Sequence, residues 1–313
     1  MFLFDSNLNP IVGMDDPDSV GMVASLTPGT RGTLVVQAIR GGIAGLGTST
    51  GESLIASSFP TTTNGILPGV VANGGAGSSL GSHVGYDTTF GIVPAVYTST
   101  DLNAAGASDV VDVLGGASTL SSSKTVFAAR LGASALDLSG NTLTIGDGTL
   151  PGTLILNASA NPTNGTISFG TSQGVVYAAN TVGTLSASLA GSNGVSFVGI
   201  YNSNPTPLTI NTAATYSGPT SITGGGIRLE GNDILPVGTE LSVENGPFGS
   251  TPASVSLNLV GNSQQSVAKI TSKDRTAFIA VNDGKLTITG AGTSENINPV
   301  LGSNPGTVEV NGG

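Results

Sequence analysis

The sequence predicts an all-β solenoid, and three observations lead there. Short apolar runs recur from residue 125 onward, their centres roughly 7 to 14 residues apart, with glycine, asparagine or proline between them. Inside these runs apolar residues alternate with Thr, Ser or Asn, as in Leu143-Thr144-Ile145 and Leu257-Asn258-Leu259, which buries one side of each strand and wets the other. The third observation is compositional: of 313 residues 48 are glycine and 38% are hydrophobic, but only 9% are charged and 4% aromatic. Glycine at roughly twice its ordinary usage implies many turns, and Val- and Ile-rich text favours strands. So much apolar material argues against a disordered chain.

Taken in order, the chain opens with "MFLFDSNLNP", an apolar start without the basic region of a complete signal peptide. "TLVVQAI" at 33–39 reads as a strand, and glycine-, serine- and threonine-rich text follows it, punctuated by Pro60, Pro68 and Pro94. "DLNAAGASDVVDVLGG" at 101–116 is the nearest approach to a helix, but Gly106 and its split apolar positions break the helical period. Regular strands then succeed one another: "TVFAARL", "NTLTIGDG", "GTLILNASA", "GTISFG", "GVVYAAN", "GTLSASLAG" and "GVSFVGIY". Residues 1–120 are therefore expected to form a less regular part of the solenoid or a cap, and 121–313 its regular part.

A solenoid accommodates strands this short because each pairs with its equivalents in the coils on either side, around a thin column of stacked aliphatic side chains. Coils of ~20 to 25 residues, stacked at the ~4.8 Å inter-strand spacing, would give about thirteen coils and a rod of roughly 60 Å. Asn-Gly pairs at Asn64, Asn73, Asn164, Asn193, Asn245 and Asn311 keep two-residue hairpins, and with them a sandwich, open.

The most specific text is "LTINTAATYSGPTSITGGGIRLEGNDILPVGTELSV", residues 208–243. It resembles the autotransporter-associated β-strand repeat of bacterial surface proteins at Tyr216, Ser217, Gly218, Thr220, Ile222, Gly226, Leu229, Leu235, Pro236, Gly238 and Thr239. "SGNTLTIGDG" (139–148) and "GKLTITGAGT" (284–293) are similar to the strands between such repeats, and "TTTNGILPG" and "YDTTFGIVPAVYT" look like pieces of the same passenger regions. The resemblance implies a right-handed parallel β-helix within an exported passenger, its repeat aiding folding and transport across the outer membrane. The C-terminal series of ~10-residue alternating strands that would build a translocating barrel is not in this text, so a translocator, if there is one, is expected outside it.

Composition also narrows the chemistry. Nine Lys and Arg against nineteen Asp and Glu give a net charge of −10 and no basic patch to neutralise phosphates, so nucleic acid is not an expected partner. No run reaches the ~20 apolar residues of a membrane-spanning helix, and zero cysteines exclude disulfides and thiol chemistry.

Gly77-Ser78-Ser79-Leu80-Gly81, with His83 and Asp87 nearby, matches a nucleophile-elbow pattern, but the strand–turn–helix context and the late-arriving acid and histidine are missing, and the expected reading is a loop. His83 is the one histidine, expected exposed or in a turn, so no multi-histidine metal site exists. Asp15, Asp16 and Asp18 could offer oxygens to Ca2+ without the full loop spacing of a calcium site, and read as a solvated turn at Pro17. "GGGIRLEGND" at 224–233 is an unrepeated echo of a calcium nonapeptide. Arg228 and Glu230 alternate with Ile227 and Leu229 and should face outward; with Asp233 they read as surface ion-pair residues rather than the paired acids of a glycosidase. Lys269, Lys273, Asp274 and Arg275 read as a polar turn. No catalytic, cofactor-binding or metal role is assigned to any residue, and Ile222, Leu229, Leu241, Leu257 and Leu259 are expected in the stacked column. The function expected is a non-catalytic structural or adhesive segment of a surface-displayed or secreted passenger, with surface glycans or neighbouring cells as partners; a polysaccharide-degrading or glycan-binding β-helix is the alternative.

Overall fold

A computed structural model describes residues 2–4, 10–13, 34–37, 46–47, 62–73, 81–113, 115, 118–132, 135–157, 160–178, 183–199, 208–223, 226–244, 256–259, 262–271, 278–281, 284–290, 299–300 and 306–311. Among them there is no helix, and most strands pair in parallel as a β-solenoid of about six turns. The N-terminal part is different in kind. Strands β1 (Phe2–Phe4) and β2 (Pro10–Gly13) pair antiparallel, whereas β3 (Leu34–Gln37) pairs in parallel with β4 (Val70–Asn73). β5 (Gly81–Asp87) then pairs antiparallel with both β4 and β6 (Gly91–Pro94).

The solenoid starts at β7 (Val110–Val113), β8 (Ser118–Thr119) and β9 (Lys124–Val126), and repeats as β10 (Ala128–Leu131), β11 (Ala135–Asp137) and β12 (Thr142–Ile145). β13 (Gly152–Leu156) with β14 (Asn161–Ser168), β15 (Gly174–Ala178) with β16 (Thr184–Ala190), β17 (Val195–Gly199) with β18 (Leu208–Ile210), and β19 (Thr220–Thr223) with β20 (Gly226–Leu229) follow. The last circuits are β21 (Glu240–Glu244), β22 (Ser256–Leu259) and β23 (Gln264–Val267), then β24 (Lys269–Thr271), β25 (Phe278–Val281) and β26 (Lys285–Ile288), then β27 (Pro299–Val300) and β28 (Thr307–Val310). One wall is the eight-stranded ladder from β7 to β24; a second runs from β8 to β27; β9 and β12, and later β23, β26 and β28, form the third side.

Register shows why the alternation in the sequence is buried as it is. Val111, Ala129, Leu154, Val176, Phe197, Ile222 and Val243 stand in line across the first wall, 18 to 25 residues apart, and all are buried. One later step is longer, 29 residues from Leu241 to Ile270. The second wall contributes Leu185, Ile210, Leu229 and Leu259 to the same core. Ile222, Leu229, Leu241 and Leu259 are thus column residues as expected, while the side chain of Leu257 lies outside the described residues. The steps of 18 to 29 residues bracket the ~20 to 25 expected from sequence, whereas the described residues form about six turns and not about thirteen; eight first-wall strands at ~4.8 Å make a ladder of roughly 35 Å. The described residues 62–73 and 81–97 do not add coils; β4 and β5 fold against the outside of the rod.

Of the Asn-Gly pairs, Asn64-Gly65 alone among the described residues closes a tight antiparallel hairpin, between Thr63 and Ile66, with positive φ of 49° and 80° at its two central residues. Asn164-Gly165 instead bends β14 from the second wall into the third side. "YDTTFGIVPAVYT" is likewise no coil, since it supplies the antiparallel β5–β6 turn, where Asp87 Oδ1 accepts from the amides of Thr89 (2.7 Å) and Phe90 (2.9 Å).

Candidate functional site

Two internal polar assemblies stand out from the aliphatic column. The first lies outside the first wall, where β4 and β5 cover it. Outward positions on this wall are ordinarily wet, and Ser221, Thr223 and Ser242 are half-buried. On β13, β15 and β17 the outward residues Ile155, Val175, Tyr177 and Val198 are buried instead, and they form a small core with Val71 of β4. Gly81 permits this contact: a Cβ there would sit 2.4 Å from the Tyr177 ring. The backbone of Gly81 is held by the Asn157 side chain, which accepts from its N–H at 2.7 Å and donates to its carbonyl at 3.1 Å, imitating a strand partner. Asn73 Nδ2 donates to the Tyr177 hydroxyl at 3.1 Å.

His83 sits at the centre of this seam, on β5 and fully buried, which corrects the expectation of an exposed or turn histidine. Burial wins there because its polar atoms are supplied by elements remote in sequence. The Thr153 carbonyl can only accept, so His83 Nε2 carries the proton and donates to it at 3.3 Å. Nδ1 is then the acceptor and faces the Tyr97 hydroxyl at 3.4 Å; that hydroxyl also takes the His83 amide at 3.2 Å and lies 3.1 Å from Ser82 Oγ. Arg130 lies over the Tyr97 ring, its guanidinium carbon 4.1 Å from the ring centre, and pairs with Asp112 through Nε–Oδ1 at 2.8 Å and Nη2–Oδ2. Desolvation pushes the imidazole down from 6.5 to about 3; the Thr153 bond acts in the opposite sense and the Arg130 charge adds to the lowering. The Tyr97 and Tyr177 hydroxyls are raised by burial, an effect that Arg130 and Asn73 respectively oppose.

The second assembly lies within 208–243. Tyr216, Thr220 and Thr239 are all buried and form a one-way relay. Thr239 Oγ1 donates to the Gly218 carbonyl at 3.0 Å, so it accepts from Thr220 at 2.8 Å, and Thr220 in turn accepts from the Tyr216 hydroxyl at 2.6 Å. Burial raises the Tyr216 hydroxyl's pKa despite the Thr220 bond. Beneath it, the buried Gln265 amide accepts from Leu235 N–H at 2.9 Å and donates to Leu235 C=O at 3.0 Å, fixing the turn of "LPVGT" against the next coil. Replacing Thr220 by Val orphans the Tyr216 hydroxyl and should cost about 2 kcal/mol in urea unfolding, against about 1 kcal/mol for Tyr216→Phe, which removes only the terminal donor. Equal and negligible losses for the two variants would show that the relay contributes nothing to stability.

The other sequence candidates do not converge. Gly77 to Leu80, Asp15, Asp16, Asp18, Lys273, Asp274 and Arg275 lie outside the described residues. Asp87 is engaged in the β5–β6 turn, and His83 already has both ring nitrogens occupied, so the two do not meet. Arg228 and Glu230 form an exposed pair at 2.8 Å. Asp233, with φ of 46°, uses Oδ1 to accept from Ser266 N–H at 3.0 Å. Among the described residues no three His, Asp or Glu side chains are grouped to hold a metal. Sequence reasoning missed Tyr97, Asp112, Arg130 and Asn157; the signal available was the loss of alternation in "GTLIL" and "GVVYA", where consecutive apolar residues mean that both faces are covered. No protein-family model, curated protein or solved structure matches the chain.

Proposed function

We propose that the chain is a non-catalytic structural segment of a bacterial passenger-type β-helix, secreted or displayed at the cell surface, and that 208–243 serves its folding and export. One observation carries this reading. The residues that make 208–243 distinctive are committed inward: Tyr216, Thr220 and Thr239 close an internal relay, and Leu229 and Leu235 fill the column, while the Arg228–Glu230 pair is the exposed ion pair among the described residues of that stretch. Such a stretch locks one coil onto the next, which is what a rod growing by successive coils requires. The outer wall carries small hydroxyls, among them the half-buried Ser221, Thr223 and Ser242, suited to weak repeated contacts with glycans or neighbouring cells.

The test is to display the chain from a carrier outer-membrane barrel and measure surface delivery, cell attachment to glycan-coated plates, and release of new reducing ends from a polysaccharide panel. Delivery with attachment and no release is expected, with delivery reduced severalfold in Thr220→Val. Release of reducing ends would replace this reading with the polysaccharide-degrading one. Undiminished delivery of Thr220→Val would remove the export role.

A further inference from the structure

Cover and rod meet around one buried imidazole. The cover, β4 to β6 and the segment to Tyr97, is antiparallel, whereas the wall beneath it is a parallel ladder complete in itself, so the two can part without breaking a coil. The contact is apolar at one end, where Val71 meets Ile155, Val175, Tyr177 and Val198, and polar at the other, where His83 is enclosed. It is also imperfect: Thr153 Oγ1, on the residue whose carbonyl takes the His83 proton, is buried without a hydrogen-bond partner.

We propose that β4–β6 form an acid-releasable clasp on the first wall: protonation of His83 detaches the cover and bares Ile155, Val175, Tyr177 and Val198, while the coils stay folded. The geometry makes a second proton unwelcome. Nδ1 is the acceptor for the Tyr97 hydroxyl, and a proton there would force that hydroxyl to turn its own proton to Ser82 Oγ and to accept from Nδ1–H as well as from the His83 amide. The charge would also appear beside Arg130, which stacks on that same Tyr97 ring. Other elements around the pocket offer little compensation. β7 supplies Asp112, already paired to Arg130; β15 supplies Tyr177, hydrogen-bonded to Asn73; β4, β6 and β13 carry no ionisable side chain; and on β5 itself Asp87 is at the far turn with Tyr86 beside it.

The sign follows from the imidazole being held neutral. Its closed-state value of about 3 lies below the ordinary 6.5 of the released group, so the clasp is fully stable above pH 6.5 and loses stability as pH falls from 6.5 toward 3. The opening constant should rise on the order of 50- to 100-fold between pH 7 and 4.5. The inference does not depend on how the rod is used.

Because His83 is the one histidine in the chain, a 13C-histidine NMR titration of the full chain reads its protonation without ambiguity, and amide hydrogen exchange reads opening at the same time. Expected is a fall in protection of the β4 and β5 amides with the same pH midpoint as the histidine signal, while Val176, Phe197 and Ile222 stay protected. His83→Gln should abolish the acid dependence. Should that variant release the cover at every pH, the wild-type midpoints decide: coincident midpoints support the clasp, separate ones overturn it. Simultaneous loss of protection in cover and column, a cover still closed at pH 4, or an unaltered acid response in His83→Gln overturns it as well.

Discussion

Leu229→Asp is expected to destabilise the solenoid by about 4 to 6 kcal/mol, whereas Arg228→Ala, one residue earlier on the same strand, should change stability by no more than about 0.5 kcal/mol. Leu229 is completely buried and in register with Ile210 on one side and Leu259 on the other. An aspartate there loses the leucine's packing in two neighbouring coils and must either shed its charge or bury it unpaired. Arg228 points the other way: its side chain is 45% exposed and its partner Glu230 40%, a pair that solvent screens. Urea unfolding followed by circular dichroism separates the two. Since each coil leans only on its neighbours, hydrogen exchange in Leu229→Asp should rise most around β18, β20 and β22 and least at β7 and β10. Equal behaviour of the two variants would mean that Leu229 is not a column residue.

That contrast could be written from the sequence alone, because "GIRL" alternates and one wet face per strand is enough to assign Leu229 inward. The relay in 208–243 was legible as text but not as chemistry: Tyr216, Thr220 and Thr239 were visible as a pattern, and only the coil stacking brings Thr239 to within 2.8 Å of Thr220. The clasp was not legible at all. Its contacts join residues as far apart as Asn73 and Tyr177, separated by 104 positions, and no local period encodes such a meeting. The trace that it did leave is in "GTLIL", "GVVYA" and "VSFVG", which are buried on both faces where "TSIT" is buried on one. His83 followed the same logic. A lone histidine in glycine-rich text reads as surface, and it becomes an interior group through Tyr97, Arg130 and Thr153, which the fold brings from 14, 47 and 70 positions away.

The largest polar contribution to the covered wall should come from Arg130. Its side chain and that of Asp112 are only 13% and 14% exposed, and the guanidinium engages Asp112 with both Nε and Nη2, reaches the Gly81 carbonyl at 3.4 Å and stacks on Tyr97. Arg130→Met removes the cation and leaves the Asp112 carboxylate largely desolvated without its partner, which should cost about 3 to 4 kcal/mol in urea unfolding. Arg130→Lys keeps the charge but offers one point where a planar fork fitted, so about 1 to 2 kcal/mol is expected. The informative variant is the double one. Arg130→Met with Asp112→Leu removes both desolvated charges together, and stability should return to within about 1 kcal/mol of the unmodified chain, because the cost of the single change lies in the stranded carboxylate more than in the lost attraction. If the double variant is instead as unstable as Arg130→Met, the hold on Gly81 and Tyr97 outweighs the ion pair, and Arg130 acts chiefly by fastening the cover to the wall.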